Sequence, residues 1–180
     1  MTENSQIQQL GAEVLRQPAA PVDDFNNPEF RELIENMRNV MQAASGVGIA
    51  APQLGVSKRV VIVASRPTPR YPQAPEMAPV VMVNPRFDVV DAAMVKDWEG
   101  CLSVPGVRAL VPRYRAVAVE FFDESGLPCS LALADFPARV FQHEFDHLEG
   151  MVYLDRVETN RDIISEAEFF KRVVGQEQAA

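Results

Sequence analysis

Hydrophobic positions recur at helical spacing after the segment Asn27-Pro28-Glu29. This segment has the order typical of a helix start, with a capping Asn, a Pro in the first turn and an early carboxylate. The pattern continues to Ala44, and glycines at 46 and 48 follow it, where a helix is expected to stop. We therefore predict a helix over residues 28–44. Its apolar positions are Phe30, Leu33, Ile34, Met37, Val40 and Met41.

The middle of the chain has strand-like patterns rich in β-branched residues. RVVIVAS (59–65), PVVMVNP (79–85) and RFDVVDAAMV (86–95) each predict a strand. YRAVAVEFFD and CSLALADF, separated by the turn ESGLP (124–128), predict a β-hairpin. Five prolines between residues 66 and 79 exclude regular structure there, which predicts a surface loop.

Two more helices are predicted in the C-terminal part. One begins at Pro137, ends at Glu149 before Gly150, and has apolar residues on more than one face, which indicates burial. With the strands gathered around it, the fold class is α+β: mostly antiparallel strands around a central helix, with an N-terminal and a C-terminal helix. The C-terminal helix is predicted over residues 161–174, with Ile163, Ala167, Phe170 and Val174 on one face.

Composition narrows the class of protein. A chain of 180 residues with 47% hydrophobic content is large enough for a core and is expected to form a single domain, residues 1–180. The net charge of −8 argues against binding to DNA through its phosphates. No signal peptide or apolar run long enough to cross a membrane is recognisable, so we expect a cytoplasmic protein without a membrane partner. The two cysteines, Cys101 and Cys129, are expected to be free thiols.

The stretch QHEFDHLEG, residues 142–150, contains both histidines of the chain. On a helix, His143 and His147 project from one face and can share a metal ion, while Glu144 is close enough to act on a water molecule. A chance placement of three polar residues is the simplest alternative. Burial favours a metal, because two buried imidazoles without partners would be costly.

Two histidines leave a catalytic metal one protein ligand short. The third ligand could be Cys101, Cys129, Asp146, Glu149 or a more distant carboxylate. Cys101 follows a glycine in EGCLSVPG, where the backbone can come close to a neighbour, whereas Cys129 lies in an apolar strand that suits an ordinary buried thiol. These preferences favour Cys101 without excluding the others.

A third unusual stretch is GVGIAAPQLG, residues 46–55. Its small residues allow close approach of the backbone to a ligand or to a neighbouring element. Gln53 can donate hydrogen bonds through its side-chain amide. A plain turn between helix and strand explains the same pattern.

Taken together and in this order, GVGIAAPQ (46–53), EGCLS (99–103) and QHEFDHLEG (142–150) resemble the peptide deformylases. These enzymes remove the formyl group from the initiator methionine of new polypeptides, a step of protein biosynthesis. The resemblance covers roughly residues 10–157. It implies a metal-dependent hydrolase that acts on N-formylmethionyl nascent peptides, with possible transient proximity to the ribosome.

The resemblance also implies a role for individual residues. The divalent metal, Fe²⁺ first and Zn²⁺, Ni²⁺ or Co²⁺ as alternatives, would have water as its fourth ligand. Glu144 would be the general base, and Gln53 with the backbone N–H of Leu102 would form the oxyanion hole. Gly48 would bind the main chain of the peptide. The implied metal ligands are Cys101, His143 and His147, and the implied lining of the cleft is Val47, Gly100 and Arg108.

Some residues near these motifs need a separate interpretation. Arg139 lies one turn before His143, where the family has an apolar pocket for methionine, and we expect it to fold outward with its stem along the wall. Glu99 and Asp146 are expected to hold ligands in place rather than to bind metal, with Arg113 as the partner of Asp146. Two other functions remain open: a zinc peptidase, disfavoured because no third histidine exists, and a relative that binds formyl-methionyl ends without turnover.

Overall fold

Six antiparallel strands and three helices form the part of the chain that this computed structural model describes, residues 7–68 and 71–175. The predicted α+β class with an antiparallel sheet is confirmed. Short 3-10 turns connect several elements. The elements in chain order are α1 (Pro28–Ala43), β1 (Gly48–Ala50), β2 (Val60–Ser65), β3 (Met77–Cys101), β4 (Val104–Phe122), β5 (Pro128–Ala134), α2 (Asp135–Leu148), β6 (Ile163–Ser165) and α3 (Glu166–Phe169).

The sheet has the order β1-β2-β3-β4-β5, and β6 pairs with the first part of β4. The two strands predicted over residues 79–95 are one long strand, β3, which is bent at Asn84 (φ +49°). The register between β3 and β4 also shifts between Val83 and Arg86. At the other end of β3, Cys101 pairs with Val104. The motif EGCLS therefore lies at the tip of the β3–β4 hairpin.

Helix α2 packs against β1, β2, β4 and β5. Because it is covered by the sheet, ten of its residues are buried, including the polar ones of the H-E-x-x-H stretch. Helix α1 covers a second cluster on the other side of β1 and β2. The cluster beneath α2 includes Val61, Val63, Met82, Val117, Val119, Leu133, Phe141 and Leu148.

The local signals for α1 and for the hairpin are confirmed. The side chain of Asn27 accepts a hydrogen bond from the backbone N–H of Glu29 at 2.9 Å, and Pro28 is the first helical residue. The helix ends at Ala43, but Gly48 belongs to β1. The predicted hairpin of residues 114–136 is present as β4 and β5, and α2 begins at Asp135, two residues before Pro137.

The C-terminal helix predicted over residues 161–174 is present only from Glu166 onward. Residues Ile163–Ser165 are strand β6, which pairs with β4 at Val107 to Ala109. The Ser165 hydroxyl accepts from the backbone N–H of Glu168, so helix α3 begins only at Glu166, and a π-helical turn follows over Phe170–Val174. Pairing with a distant strand overrides the helical spacing. The residue of α3 that is buried is Phe169, not the face predicted from the pattern.

The described residues of the proline-rich segment, 66–68 and 71–76, form a loop, as predicted. Thr68 and Tyr71 form an isolated bridge with two backbone hydrogen bonds, and strand β3 already begins at Met77. The loop folds back towards the sheet, because Ser65 donates a short hydrogen bond to the carbonyl of Pro75. Among the described residues, no helix has the length and apolar character that a membrane span requires.

Candidate metal centre

The hairpin tip brings Cys101 against the face of α2 that carries the two histidines. The potential ligand atoms of Cys101, His143 and His147 all lie within 4.8 Å of one another, and Cys101 Sγ is 3.3 Å from His147 Nε2. Helical spacing places both imidazoles on one face, as predicted. The three side chains thus form one compact group.

The other candidates for the third ligand are engaged elsewhere. Cys129 lies on β5 and packs beside the core cluster under α2. Asp146 accepts hydrogen bonds from Arg113 and Arg156, and Glu149 pairs with Arg59 at 2.7 Å. Of the candidates for the third ligand, Cys101 is thus the one that lies beside the two histidines.

The chemistry of this group fits a divalent transition metal. One thiolate with two imidazoles is a donor set for zinc or ferrous iron. Although burial opposes ionisation, the neighbouring His147 and His143 hold the pKa of the Cys101 thiol well below its usual range. A buried thiol that ionises readily is suited to be a metal ligand.

His143 is oriented by the carboxylate of Glu99. Glu99 Oε2 lies 2.8 Å from His143 Nδ1, which leaves the Nε2 atom facing the centre of the group. Burial would raise the pKa of Glu99, but the charges and hydrogen bonds of Arg113 and His143 together outweigh it, and the net shift is downward. Arg113 donates to both carboxylate oxygens, at 2.9 and 3.0 Å. The predicted supporting role of Glu99 matches these contacts.

Arg139 does not fold outward as predicted. Its side chain is buried, and Nη1 donates to Glu99 Oε1 and to the carbonyl of Val111, both at 2.8 Å. Nη2 donates to the carbonyl of Val95 at 2.6 Å. A guanidinium can be buried only where acceptors surround it, and the β3–β4 hairpin supplies them. The arginine thereby becomes a second clamp on the carboxylate that holds His143.

The predicted pair of Arg113 and Asp146 is confirmed. Arg113 Nη1 lies 2.6 Å from Asp146 Oδ2, and Arg156 reaches the other oxygen at 2.8 Å. Burial lowers the pKa of Arg113, but the charges and hydrogen bonds of Glu99 and Asp146 together exceed this effect, and its pKa is raised. Arg113 thus connects two carboxylates, that of Glu99, which contacts His143, and that of Asp146, which directly precedes His147 in the sequence.

Glu144 is placed to accept a proton. Its side chain is buried, and Oε2 has no hydrogen-bond partner within the described residues. Burial raises the pKa of Glu144 to about 7. The carboxylate lies against Gly48 of β1, where an added Cβ would be 2.4 Å from Glu144 Oε1. Only glycine fits at this position without moving Glu144.

Gln53 presents its amide nitrogen to the same centre. Its Oε1 accepts from the backbone N–H of Ala50 at 2.8 Å, which fixes the direction of the amide. Nε2 therefore faces Ser103 Oγ at 3.2 Å and Cys101 Sγ at 3.5 Å. Leu102 follows Cys101 in the connection between β3 and β4, and it lines one cavity together with Gln53 and Cys101.

A cavity of about 240 Å³ opens onto this group of side chains. Every residue predicted to bind the peptide lines it: Val47, Gly48, Gly100 and Arg108. Other lining residues were not predicted: some come from the proline-rich loop and the C-terminal segment, which carry no motif, and the others lie on α2 before its H-E-x-x-H stretch. These are Thr68, Tyr71, Phe136, Val140 and Glu166.

Three ligand-type side chains, a buried carboxylate without a partner and an oriented amide donor surround one cavity. This arrangement, on an antiparallel α+β fold, is typical of metallohydrolases. Comparison with known proteins gives the family within that class.

The polypeptide deformylase family model matches residues 4–162. Peptide deformylase 2 of Nostoc sp. is 50% identical over 163 residues, which cover 91% of each chain. A class I type b peptide deformylase from Acinetobacter baumannii, solved with Met-Ala-Ser bound, has a TM-score of 0.81 and 44% identity, covering 84% of this chain and 96% of that one. A peptide deformylase from Synechococcus elongatus in complex with actinonin has a TM-score of 0.77 at 37% identity, covering 87% and 80%. The chain belongs to the peptide deformylase family.

Proposed function

We propose that this chain removes the N-formyl group from the N-terminal methionine of newly made polypeptides and releases formate. The observation that carries the proposal is the buried, unpartnered carboxylate of Glu144 beside the group of Cys101, His143 and His147. The family of the chain supports it. So does the relative from Acinetobacter baumannii, whose structure holds a peptide that begins with methionine.

The metal ligands in this proposal are Cys101, His143 and His147. A bound divalent ion supplies Lewis-acid chemistry, because it lowers the pKa of a water molecule to about 7 and polarises a carbonyl. We propose Fe²⁺ as the native ion, with Zn²⁺, Ni²⁺ or Co²⁺ as alternatives, because one thiolate and two imidazoles suit all four.

Glu144 is the general base. It takes a proton from the attacking water as the new C–O bond forms at the formyl carbon, and it returns the proton to the amine as the C–N bond breaks. The products are formate and a peptide with a free N-terminal amine. A pKa of about 7 suits a group that must both accept and donate a proton near neutral pH.

Gln53 and Leu102 stabilise the negative charge on the formyl oxygen. The amide Nε2 of Gln53 is already directed towards Cys101, so its orientation needs no change during the reaction. The backbone N–H of Leu102 is the second donor. Removal of one such donor typically costs about 3 kcal/mol of transition-state stabilisation.

The peptide lies in the cavity beside β1 and the hairpin tip. Gly48 hydrogen-bonds its main chain, and Val47, Gly100 and Arg108 line its path. We propose that residues 1–180 form one catalytic domain that works in the cytoplasm, close to the ribosome where formylated peptides emerge. Neither DNA nor a membrane is a partner in this proposal.

One peptide in formylated and unformylated forms tests the reaction. We expect formate from the formylated form and no cleavage of any backbone bond in either form, as measured by formate assay and mass spectrometry. Cleavage within the peptide would instead identify a peptidase. Binding of the formylated peptide without formate release by the metal-loaded protein would identify a binding-only relative.

A further inference from the structure

The C-terminal arm, residues 163–169, forms part of the cavity wall. This arm comprises β6 and α3 and lies beyond residues 4–162, the range that the family model matches. β6 pairs with β4 at residues 107–109, so the arm runs directly beside Arg108. Glu166, the first residue of α3, lines the same cavity as His143 and Glu144.

The arm holds the guanidinium of Arg108 from two sides. Nη2 and Nε of Arg108 lie 2.5 and 3.2 Å from Glu166 Oε1, and the ring of Phe169 lies beneath the guanidinium at 5.5 Å. Nη1 is 3.4 Å from the hydroxyl of Tyr71 in the proline-rich loop. Arg108 is only 4% exposed, so its position is set by these neighbours.

The guanidinium packs directly against the backbone of Gly100, another residue that lines the cavity. A Cβ on Gly100 would be 2.0 Å from Arg108 Nη1. Gly100 directly precedes the proposed ligand Cys101. A positive charge is thus held close to the path of the peptide, and the carboxylate of Glu166, with its side chain 34% exposed, is the anion paired with it.

We propose that Glu166 is a specificity-determining residue that controls which charges the cleft accepts after the formyl-methionine. Arg108 and Glu166 line the same cavity as Cys101 and Glu144, so a peptide whose formyl end lies at Glu144 presents to this pair the residues that follow its methionine. Glu166 cancels the charge of Arg108, and the cleft therefore does not select acidic side chains at these positions. Without this carboxylate, the partly desolvated guanidinium attracts acidic residues and repels basic ones. This inference rests on the proposed deformylase function.

The test compares Glu166→Gln with Glu168→Gln. Both glutamates belong to α3, but Glu168 is exposed and lies 3.7 Å from Lys171, away from the cavity lining. The substrates are formyl-Met-Ala-Asp, formyl-Met-Ala-Ser and formyl-Met-Ala-Lys at low ionic strength. In Glu166→Gln, the kcat/KM for the Asp peptide divided by that for the Lys peptide is expected to rise at least about fivefold, because the positive charge of Arg108 is no longer neutralised. Glu168→Gln leaves the ratio unchanged.

If the arm had a purely structural role, Glu166→Gln would change kcat/KM by the same factor for all three substrates, and this result would overturn the proposal. Affinities for the unformylated peptides Met-Ala-Asp and Met-Ala-Lys, measured by calorimetry, give a second readout that needs no turnover. The same shift in their ratio is expected, and an unshifted ratio contradicts the proposal. Absence of formate from wild-type protein on every substrate would instead refute the deformylase function, so the two failures are distinguishable.

Discussion

The two cysteines of the chain lie in opposite chemical surroundings. Cys101 faces two imidazoles at the hairpin tip, and Cys129 packs among apolar side chains on β5. Sequence alone favoured Cys101, because a glycine precedes it, but left other candidates open. The decisive fact is the pairing of β3 with β4, which brings residue 101 to α2 from a position more than 40 residues away.

Exchange of each cysteine separates their roles. Cys101→Ala is expected to lose most of its bound metal during gel filtration, because two imidazoles remain from a set of three ligands. Cys129→Ala is expected to keep the wild-type metal content. Elemental analysis of both proteins measures the difference. Full metal content in Cys101→Ala would place the third ligand elsewhere.

Arg139 is expected to contribute to stability as well as to the site. Arg139→Met leaves Glu99 with one guanidinium and leaves the carbonyls of Val95 and Val111 without this donor. We expect a loss of about 2–4 kcal/mol in the free energy of unfolding, measured by urea denaturation. Arg115→Met, at an exposed pair with Asp91, is the control and is expected to cost less than about 1 kcal/mol. Equal losses of unfolding free energy in both variants would contradict a stabilising role for the buried contacts of Arg139.

The inward direction of Arg139 could not be read from the sequence. Its acceptors, Glu99 and two main-chain carbonyls, belong to the β3–β4 hairpin and are distant along the chain. The pairing of Arg113 with Asp146 could be predicted from their opposite charges, but the sequence alone gave no geometry for it. By contrast, the positions of His143, Glu144 and His147 on one helix follow from local spacing, and this part of the site was predictable in full.

Among the elements, strand β1 sets the position of the proposed general base, because the backbone of Gly48 lies directly against the carboxylate of Glu144. Gly48→Ala would place a Cβ 2.4 Å from Glu144 Oε1, so the carboxylate must move. A displacement of about 1 Å can cost about 100-fold in rate, and we expect kcat/KM to fall by this order while metal content is retained. Gly175→Ala, at an ordinary helical backbone conformation, is the matched control without effect. Wild-type turnover in Gly48→Ala would show that the close contact is not needed.

Elements with local signals were predictable, and those that depend on distant pairing were not. Helix α1 has its cap and its proline in the sequence, and the β4–β5 hairpin has its turn. The helical spacing of residues 161–174 was misleading, because residues 163–165 find strand partners on β4. The proline-rich loop likewise gave no sign that Thr68 and Tyr71 reach the cavity.

At the scale of the whole molecule, the centre joins three segments that are far apart in sequence. β1 and the turn after it, the hairpin tip and α2 each supply residues. A metal bound between the hairpin tip and α2 therefore stabilises the native fold over the unfolded chain. Removal of metal by a chelator is expected to lower Tm by roughly 5–10 °C, since saturation at about 100 Kd is worth about 2.7 kcal/mol.

Calorimetry of the protein before and after chelation measures this shift. Anaerobic addition of Fe²⁺ to the chelated protein is expected to restore both Tm and turnover. An unchanged Tm, with removal of metal verified by elemental analysis, would show that the ion does not link the hairpin to α2. Cys101→Ala provides the control, because its Tm is expected to be insensitive to the chelator.

The most direct measurement is formate release from a formyl-Met tripeptide by protein loaded anaerobically with Fe²⁺, beside Glu144→Ala prepared in the same way. We expect turnover by the wild-type protein and a loss of several orders of magnitude in Glu144→Ala, with equal metal content, because the variant lacks the base and no proposed ligand. Wild-type rates in Glu144→Ala, or no formate from iron-loaded wild-type protein, would contradict the proposed function.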